Sequence, residues 1–257
     1  MAALEKQTRI WPPSPARDTR MSHRHPRGRL GFVLLQSEET ADDDIRMVVP
    51  DDVGVFITRS PMPDSTTVAT LAAMADDLGR AAAILPPALD AAAYVCTSGS
   101  IVIGEERVAA ELAKGQPEAK TTSLVTCVVA ALRALGIRRP VVGTPYLDEI
   151  NVMEADFLTE RGFDLVGISG MQIESGQDMC RVDPDDIVAY ALEIDRPEAD
   201  GIFMSCTGLR TLEVVDEIER RTGKPVVGSN QALVWHMLRL IGVDDRIEGY
   251  GSLLRDH

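Results

Sequence analysis

Two stretches decide how this chain folds: Ala92–Ser100, AAYVCTSGS, and Gly201–Thr211, GIFMSCTGLRT. Each is a short apolar run that ends in Cys-Thr, passes through a small residue and leads into a helical pattern. Cys206 follows Cys96 by 110 residues. The same offset separates Leu30 from Pro140, each opening a strand, and Val55 from Leu165, each inside the next strand. Three elements with one spacing predict a duplicated chain in which two α/β halves face each other. Under that offset Gln36, Glu38 and Glu39 fall on Tyr146, Asp148 and Glu149.

Outward from these stretches, strand and helix patterns alternate. Strands are expected at Leu30–Leu35, Val53–Thr58, Ala92–Val95, Pro140–Gly143, Leu165–Ser169, Gly201–Ser205 and Pro225–Gly228. Helical periodicity covers Val68–Ala83, Ile101–Ala113, Thr126–Leu135, Glu149–Arg161, Pro184–Ile194, Thr211–Arg221 and Gln231–Leu240. Short apolar strands alternating with helices predict mostly parallel sheets covered on both faces. Ligands of such sheets bind at the carboxyl ends of strands, beside helix N-termini with free N–H groups. Both Cys-Thr turns sit at such ends, so two thiols are expected to approach one cleft from opposite sides.

Composition narrows the function classes. The chain has 257 residues, 45% hydrophobic and 26% charged, enough for a substantial core. No apolar run approaches the roughly 18 residues of a membrane span, and the first 25 residues lack a signal-peptide core; the expected compartment is the cytoplasm, with no membrane partner. The net charge is −14, but residues 1–29 hold seven Lys or Arg against two Asp or Glu, which leaves about −19 on the body. An acidic body excludes nucleic acid as the expected partner, and the proline-rich basic arm at 1–29 reads as a disordered tail.

Cys96, Cys127, Cys180 and Cys206 form no C-x-x-C pair, and only four His accompany them, so neither a metal site nor a disulfide framework is expected. Each is an inert core residue or a reactive thiol. Cys127 lies in an apolar helix and Cys180 outside any repeated motif; both read as structural or incidental. Cys96 and Cys206 recur in one context, where a helix N-terminus lowers a thiol's pKa toward neutrality. Thr97, Ser98 and Ser100 offer donors for a carboxylate or an enolate oxygen. Thr144-Pro145-Tyr146 brings a phenol to the end of a strand. In Gly228-Ser229-Asn230, Ser229 suits a helix cap and Asn230 supplies an amide that capping does not explain.

Dinucleotide, phosphate and Ser-His-Asp chemistry lack their motifs: there is no G-x-G-x-x-G, Walker loop or G-x-S-x-G, and no His beside either Cys. His236 falls inside a helix. Two opposed thiols with no cofactor suit proton transfer next to a carboxylate. One thiolate removes the proton, donors hold the enediolate, and the other thiol protonates the opposite face.

VCTSGS and SCTGLRT, taken with TPYLDE and GSNQA, resemble the aspartate/glutamate racemase superfamily over about residues 30–254. The likeness is to its maleate isomerase and arylmalonate decarboxylase branch, and within it to the ectoine-utilisation proteins. The resemblance implies two pseudo-symmetric domains, each a four-stranded parallel sheet flanked by helices, with the active site between them. Residues 30–121 with 229–257 would form one half and 122–228 the other. It implies Cys96 and Cys206 as the catalytic pair, Thr97, Ser98 and Tyr146 on the substrate carboxylate or enediolate, and Thr207 and Asn230 opposite. It also implies a homo-oligomer, a dimer or larger. Family decarboxylases lack the first cysteine, so Cys96 speaks against simple decarboxylation; maleate isomerases keep both.

The first loop departs from the isomerase pattern. A Pro-Ser-Ser-Asn type run is replaced by Gln36-Ser37-Glu38-Glu39. With Glu39 in the asparagine's place, a second substrate carboxylate is repelled by about 1–4 kcal/mol, and an amine or amidinium is favoured. The reading that follows is a cofactor-independent racemase or isomerase of a small carboxylate bearing a cationic nitrogen, in ectoine or hydroxyectoine breakdown. A maleate-type cis–trans isomerase and a non-catalytic small-molecule binding protein are the alternatives.

Overall fold

The computed structural model describes residues 21–22, 24–62 and 66–257. Most of the basic arm lies outside the described residues. Its end is ordered: Arg27 donates to both Asp245 oxygens at 2.8 and 2.6 Å, and the first strand already opens at Gly28.

The first half runs β1 (Gly28–Leu35), α1 (Ala41–Val48), β2 (Val53–Ser60), α2 (Val68–Ala73), α3 (Ala75–Ile84), β3 (Ala91–Val95), α4 (Thr97–Ile103), α5 (Glu105–Gly115) and β4 (Lys120–Ser123). After α6 (Leu124–Ala134) the pattern repeats as β5 (Pro140–Thr144), α7 (Asp148–Glu160), β6 (Gly167–Gly170), α8 (Gly176–Met179), α9 (Pro184–Ile194), β7 (Gly201–Met204), α10 (Val215–Thr222) and β8 (Val226–Gly228). Two helices close the chain, α11 (Ser229–Leu240) and α12 (Gly251–Asp256). Among the described residues, no helix is long and apolar enough to cross a membrane.

The strands form two parallel sheets of four, in the orders β2-β1-β3-β4 and β6-β5-β7-β8. The offset of 110 holds across both central pairs, since Leu30 faces Ala91 and Pro140 faces Gly201. It slips to 111 at the outer strand: Gly31 faces Phe56, whereas Val141 faces Gly167.

Several elements differ from their sequence pattern for local reasons. The helix expected over Val68–Ala83 is two, joined at Met74, and Gly104, at φ +89°, divides α4 from α5. In β4, KTTS lacks the apolar signature of a strand, yet Thr122 and Ser123 are buried. α1 carries three consecutive acids that hide its buried stripe of Ala41, Asp44, Ile45 and Val48.

Alternation along β1 feeds two cores, as the period of a strand requires. Leu30, Phe32 and Leu34 pack with α6, α11 and residues of the second half such as Val142 and Phe203; Val33 and Leu35 pack on the opposite face. Both clusters draw residues from both halves, so the two sheets share their apolar interior.

Candidate active site

Each sheet reverses its strand order beside its first strand, between β1 and β3 and between β5 and β7, and the loops leaving those four strands converge. Such switch points are where open α/β sheets bind ligands. The cavity there measures about 30 Å³, and its lining includes Glu38, Cys96, Ser98, Tyr146, Cys206 and Thr207. Among the described residues, none that lines it is basic.

Cys96 leaves β3 in an extended conformation and caps α4, its Sγ accepting from the Gly99 N–H at 3.2 Å and standing 3.6 Å from Ser98 Oγ. Glycine is required at 99, because a β-carbon there would lie 2.4 Å from the Tyr94 hydroxyl and 3.0 Å from Cys96 Sγ. The sequence predicts a thiol of lowered pKa at this helix end. Instead burial pushes the Cys96 thiol upward, and the donations from Gly99 and Ser98 only oppose that shift. The thiol is 3% exposed, and lost hydration outweighs the N-terminus of a short helix.

Cys206 holds φ at +112°, a region that non-glycine residues rarely adopt. Strain of this kind persists where surrounding structure imposes it, often at functional sites. Here Ser229 Oγ accepts from the Cys206 N–H at 3.0 Å, and the Gly208 N–H donates to Cys206 Sγ at 3.3 Å. Burial also drives this thiol's pKa up, opposed by the hydrogen bond from the Tyr146 hydroxyl. Tyr146 is set by a tight turn after β5, in which its N–H donates to Thr144 Oγ1 and Thr144 donates to Asn151.

Thr97 and Asn230 stand behind the cavity. Thr97 Oγ1 is 3.0 Å from Ser229 Oγ, so one serine joins the two cysteine turns. The Asn230 amide donates to the Thr207 carbonyl at 2.8 Å and to Asp44 at 2.7 Å. Burial raises the Asp44 pKa to about 7, with the Asn230 bond opposing and Glu38 adding to it.

The acidic loop is corrected by one residue. Glu39 turns outward, half-exposed, toward Arg181 at 3.6 Å, and does not line the cavity. Glu38 does: it is 5% exposed, accepts from the Thr40 and Ala41 N–H groups at the start of α1, and takes the Thr207 hydroxyl at 2.7 Å from the other half. Strand exit and helix entry leave only one of two adjacent acids facing inward, and the sequence does not say which.

Cys127 lies in α6 with its Sγ 3.2 Å from the Ser123 carbonyl, away from the cavity. His236 packs beside Trp235, and its burial lowers its pKa. Cys180, read as incidental, sits 3.9 Å from Glu38 Oε1. Thr66 and Met179 also line the cavity and carry no sequence signal for it. Among the described residues, no cluster of His, Cys, Asp and Glu suits a metal ion.

A family model described as arylmalonate decarboxylase matches residues 73–254. The arylmalonate decarboxylase of Bordetella bronchiseptica is 39% identical over 135 residues, 51% of this chain and 56% of that protein, so the match spans little more than half that relative's length. The maleate isomerase of Pseudomonas putida is 25% identical over 241 residues, 88% of this chain and 96% of its own. Among solved structures, a cysteine-to-serine variant of Nocardia farcinica maleate cis–trans isomerase with a covalently bound succinylcysteine intermediate aligns with a TM-score of 0.83 at 24% identity, covering 90% of this chain and 99% of that one. A doubly substituted arylmalonate decarboxylase in its liganded form gives 0.79 at 28% identity, covering 88% and 98%.

Proposed function

The chain belongs to the arylmalonate decarboxylase family, and from that premise we propose that it is a cofactor-independent isomerase that moves a proton at the carbon next to a carboxylate. The observation that carries this reading is that Cys96 and Cys206 line one cavity with Tyr146 between the two sheets. One thiolate removes the proton from one face of the substrate carbon, and the other thiol delivers a proton to the opposite face. Ser98, the Tyr146 hydroxyl and backbone N–H groups meet the charge that grows on the enediolate oxygens.

Substrate charge follows from the lining. Among the described residues, no basic side chain lines the cavity to meet a second carboxylate, and Glu38 opposes one. A cationic nitrogen about 4 Å from a carboxylate or thiolate is worth on the order of 4 kcal/mol at an effective dielectric near 20. That equals roughly three pKa units, and it acts against the burial that keeps the thiols protonated. The substrate is therefore a small zwitterion with one carboxylate, and an ectoine- or hydroxyectoine-derived amino acid meets that description.

A second reading is favoured by the succinylcysteine in the Nocardia relative. A cysteine here would add to a carbon–carbon double bond, and rotation and elimination would complete a maleate-type cis–trans isomerisation.

The test is deuterium incorporation followed by NMR in D₂O, with ectoine-derived amino acids, aspartate and maleate as the panel. Label at one α-carbon, lost in both Cys96→Ala and Cys206→Ala, is the expected result. Isomerised maleate without α-label would select the second reading. Neither label nor isomerisation anywhere in the panel would overturn both.

A further inference from the structure

Cys180 belongs to no repeated motif, yet the fold sets it against Cys206 across Gly208. From the point where a Gly208 side chain would begin, Cys180 Sγ is 3.1 Å away and Cys206 Sγ 3.5 Å. Glycine at 208 leaves that space open, and the two sulfurs stand within about 7 Å, a gap that side-chain rotation and a small loop shift reduce to the roughly 2.05 Å of an S–S bond. The thiols look out on opposite sides of this thin wall. Cys206 lines the inner cavity, while Cys180 lines a wider groove of about 660 Å³ with Glu39, Asp43, Arg181 and Arg210. Cys180 follows α8, a helix of only four residues, and its Sγ lies 3.4 Å from the Gly176 carbonyl and 3.9 Å from Glu38 Oε1.

We propose that Cys180 and Cys206 are a dithiol modification site that closes to a disulfide when the protein meets a hydroperoxide. The Cys180 sulfur, reached through the outer groove, attacks a peroxide oxygen; the S–O bond forms, the O–O bond breaks, and water or alcohol leaves with the thiol proton. The Cys206 sulfur then attacks the Cys180 sulfenic sulfur. The S–S bond forms, the S–O bond breaks and a water leaves with the Cys206 proton. Two thiols lose two electrons and two protons, and the peroxide is reduced. Burial holds the Cys180 thiol up at about 11, so the reaction accelerates with rising pH as thiolate forms. The disulfide removes Cys206 from the cavity and shields it from irreversible oxidation until a dithiol reduces it.

The effect on turnover rests on the proposed role of Cys206; the disulfide itself does not. The experiment treats the folded chain with hydrogen peroxide at pH 8.5, blocks remaining thiols with iodoacetamide and maps peptides by mass spectrometry. A Cys180–Cys206 linked peptide as the main disulfide is expected, with a loss of exchange activity of at least tenfold that dithiothreitol reverses. Cys180→Ser should start within about twofold of wild type and lose activity to peroxide without recovery in dithiothreitol. Oxidised protein with no such peptide, or with Cys206 joined to another cysteine, would overturn the proposal. A linked peptide in a protein inert toward the whole substrate panel would uphold the disulfide and count only against the proposed function.

Discussion

Replacing Asp44 by Asn should make the protein more stable at alkaline pH than wild type while leaving the two nearly equal in acid. Asp44 lies on α1 at 2% exposure, with its Oδ2 accepting from the Asn230 amide at 2.7 Å. Burial raises its pKa from 3.8 to about 7. An acid whose folded pKa exceeds its unfolded value binds its proton more tightly in the folded state. Its contribution is fully present below about pH 4 and is lost as the pH climbs through 7. Three units correspond to about 4 kcal/mol lost across that window. Asparagine has the same shape and keeps an acceptor for the Asn230 amide, but it cannot ionise. Urea unfolding of both proteins in parallel from about pH 4.5 to 8.5 isolates this group, because the other carboxylates cancel in the difference. The variant's advantage should grow with pH to about 4 kcal/mol and level off above 7. A difference that is flat with pH, or that grows toward acid, would refute the reasoning.

Glu38→Gln removes the acid of the cavity while keeping an acceptor for the Thr40 and Ala41 N–H groups. Maleate affinity relative to a zwitterionic amino acid, measured by calorimetry, should rise by about 1–4 kcal/mol, roughly 5- to 1000-fold; an unchanged ratio would show that Glu38 does not set substrate charge. Tyr146→Phe keeps the buried ring and deletes the donor to Cys206. Exchange turnover should fall by about 10²–10³, and a wild-type rate with a normal fold would remove Tyr146 from the mechanism.

What was legible in the sequence was what repetition and periodicity encode. The 110-residue offset identifies the two central strands of each half, and these hold the registers Leu30 to Ala91 and Pro140 to Gly201. The offset also marks Cys96 and Cys206, which the fold brings to one cavity. What was hidden depends on neighbours distant in the chain. KTTS becomes a strand because β3 offers it a partner edge, a pairing that its own composition does not announce. Glu38 and Glu39 are chemically alike; the Thr207 hydroxyl, 169 residues away, receives the first and Arg181 the second. Cys180 has no motif, and only the folded chain places it beside Gly208 and against Ser37 and Glu38 of the first loop. The direction of the thiol pKa shift is hidden too, because a helix terminus is visible in sequence and the depth of burial is not.

Those buried thiols also constrain what the cavity accepts. Cys96 and Cys206 are both held toward their neutral forms by loss of water, and Glu38, a carboxylate of the lining, already draws on the Thr40 and Ala41 N–H groups and the Thr207 hydroxyl. Forming a thiolate there adds a negative charge to a space that no basic side chain lines among the described residues. A dicarboxylate would bring two more, each opposed by about 1–4 kcal/mol at close range. A zwitterion brings none in sum, and its cationic end supplies the counter-charge that the lining lacks. On this account binding and ionisation are coupled: the ligand that fits Glu38 is also the ligand that makes a thiolate accessible, so free enzyme should alkylate slowly and substrate-bound enzyme should hold the reactive base.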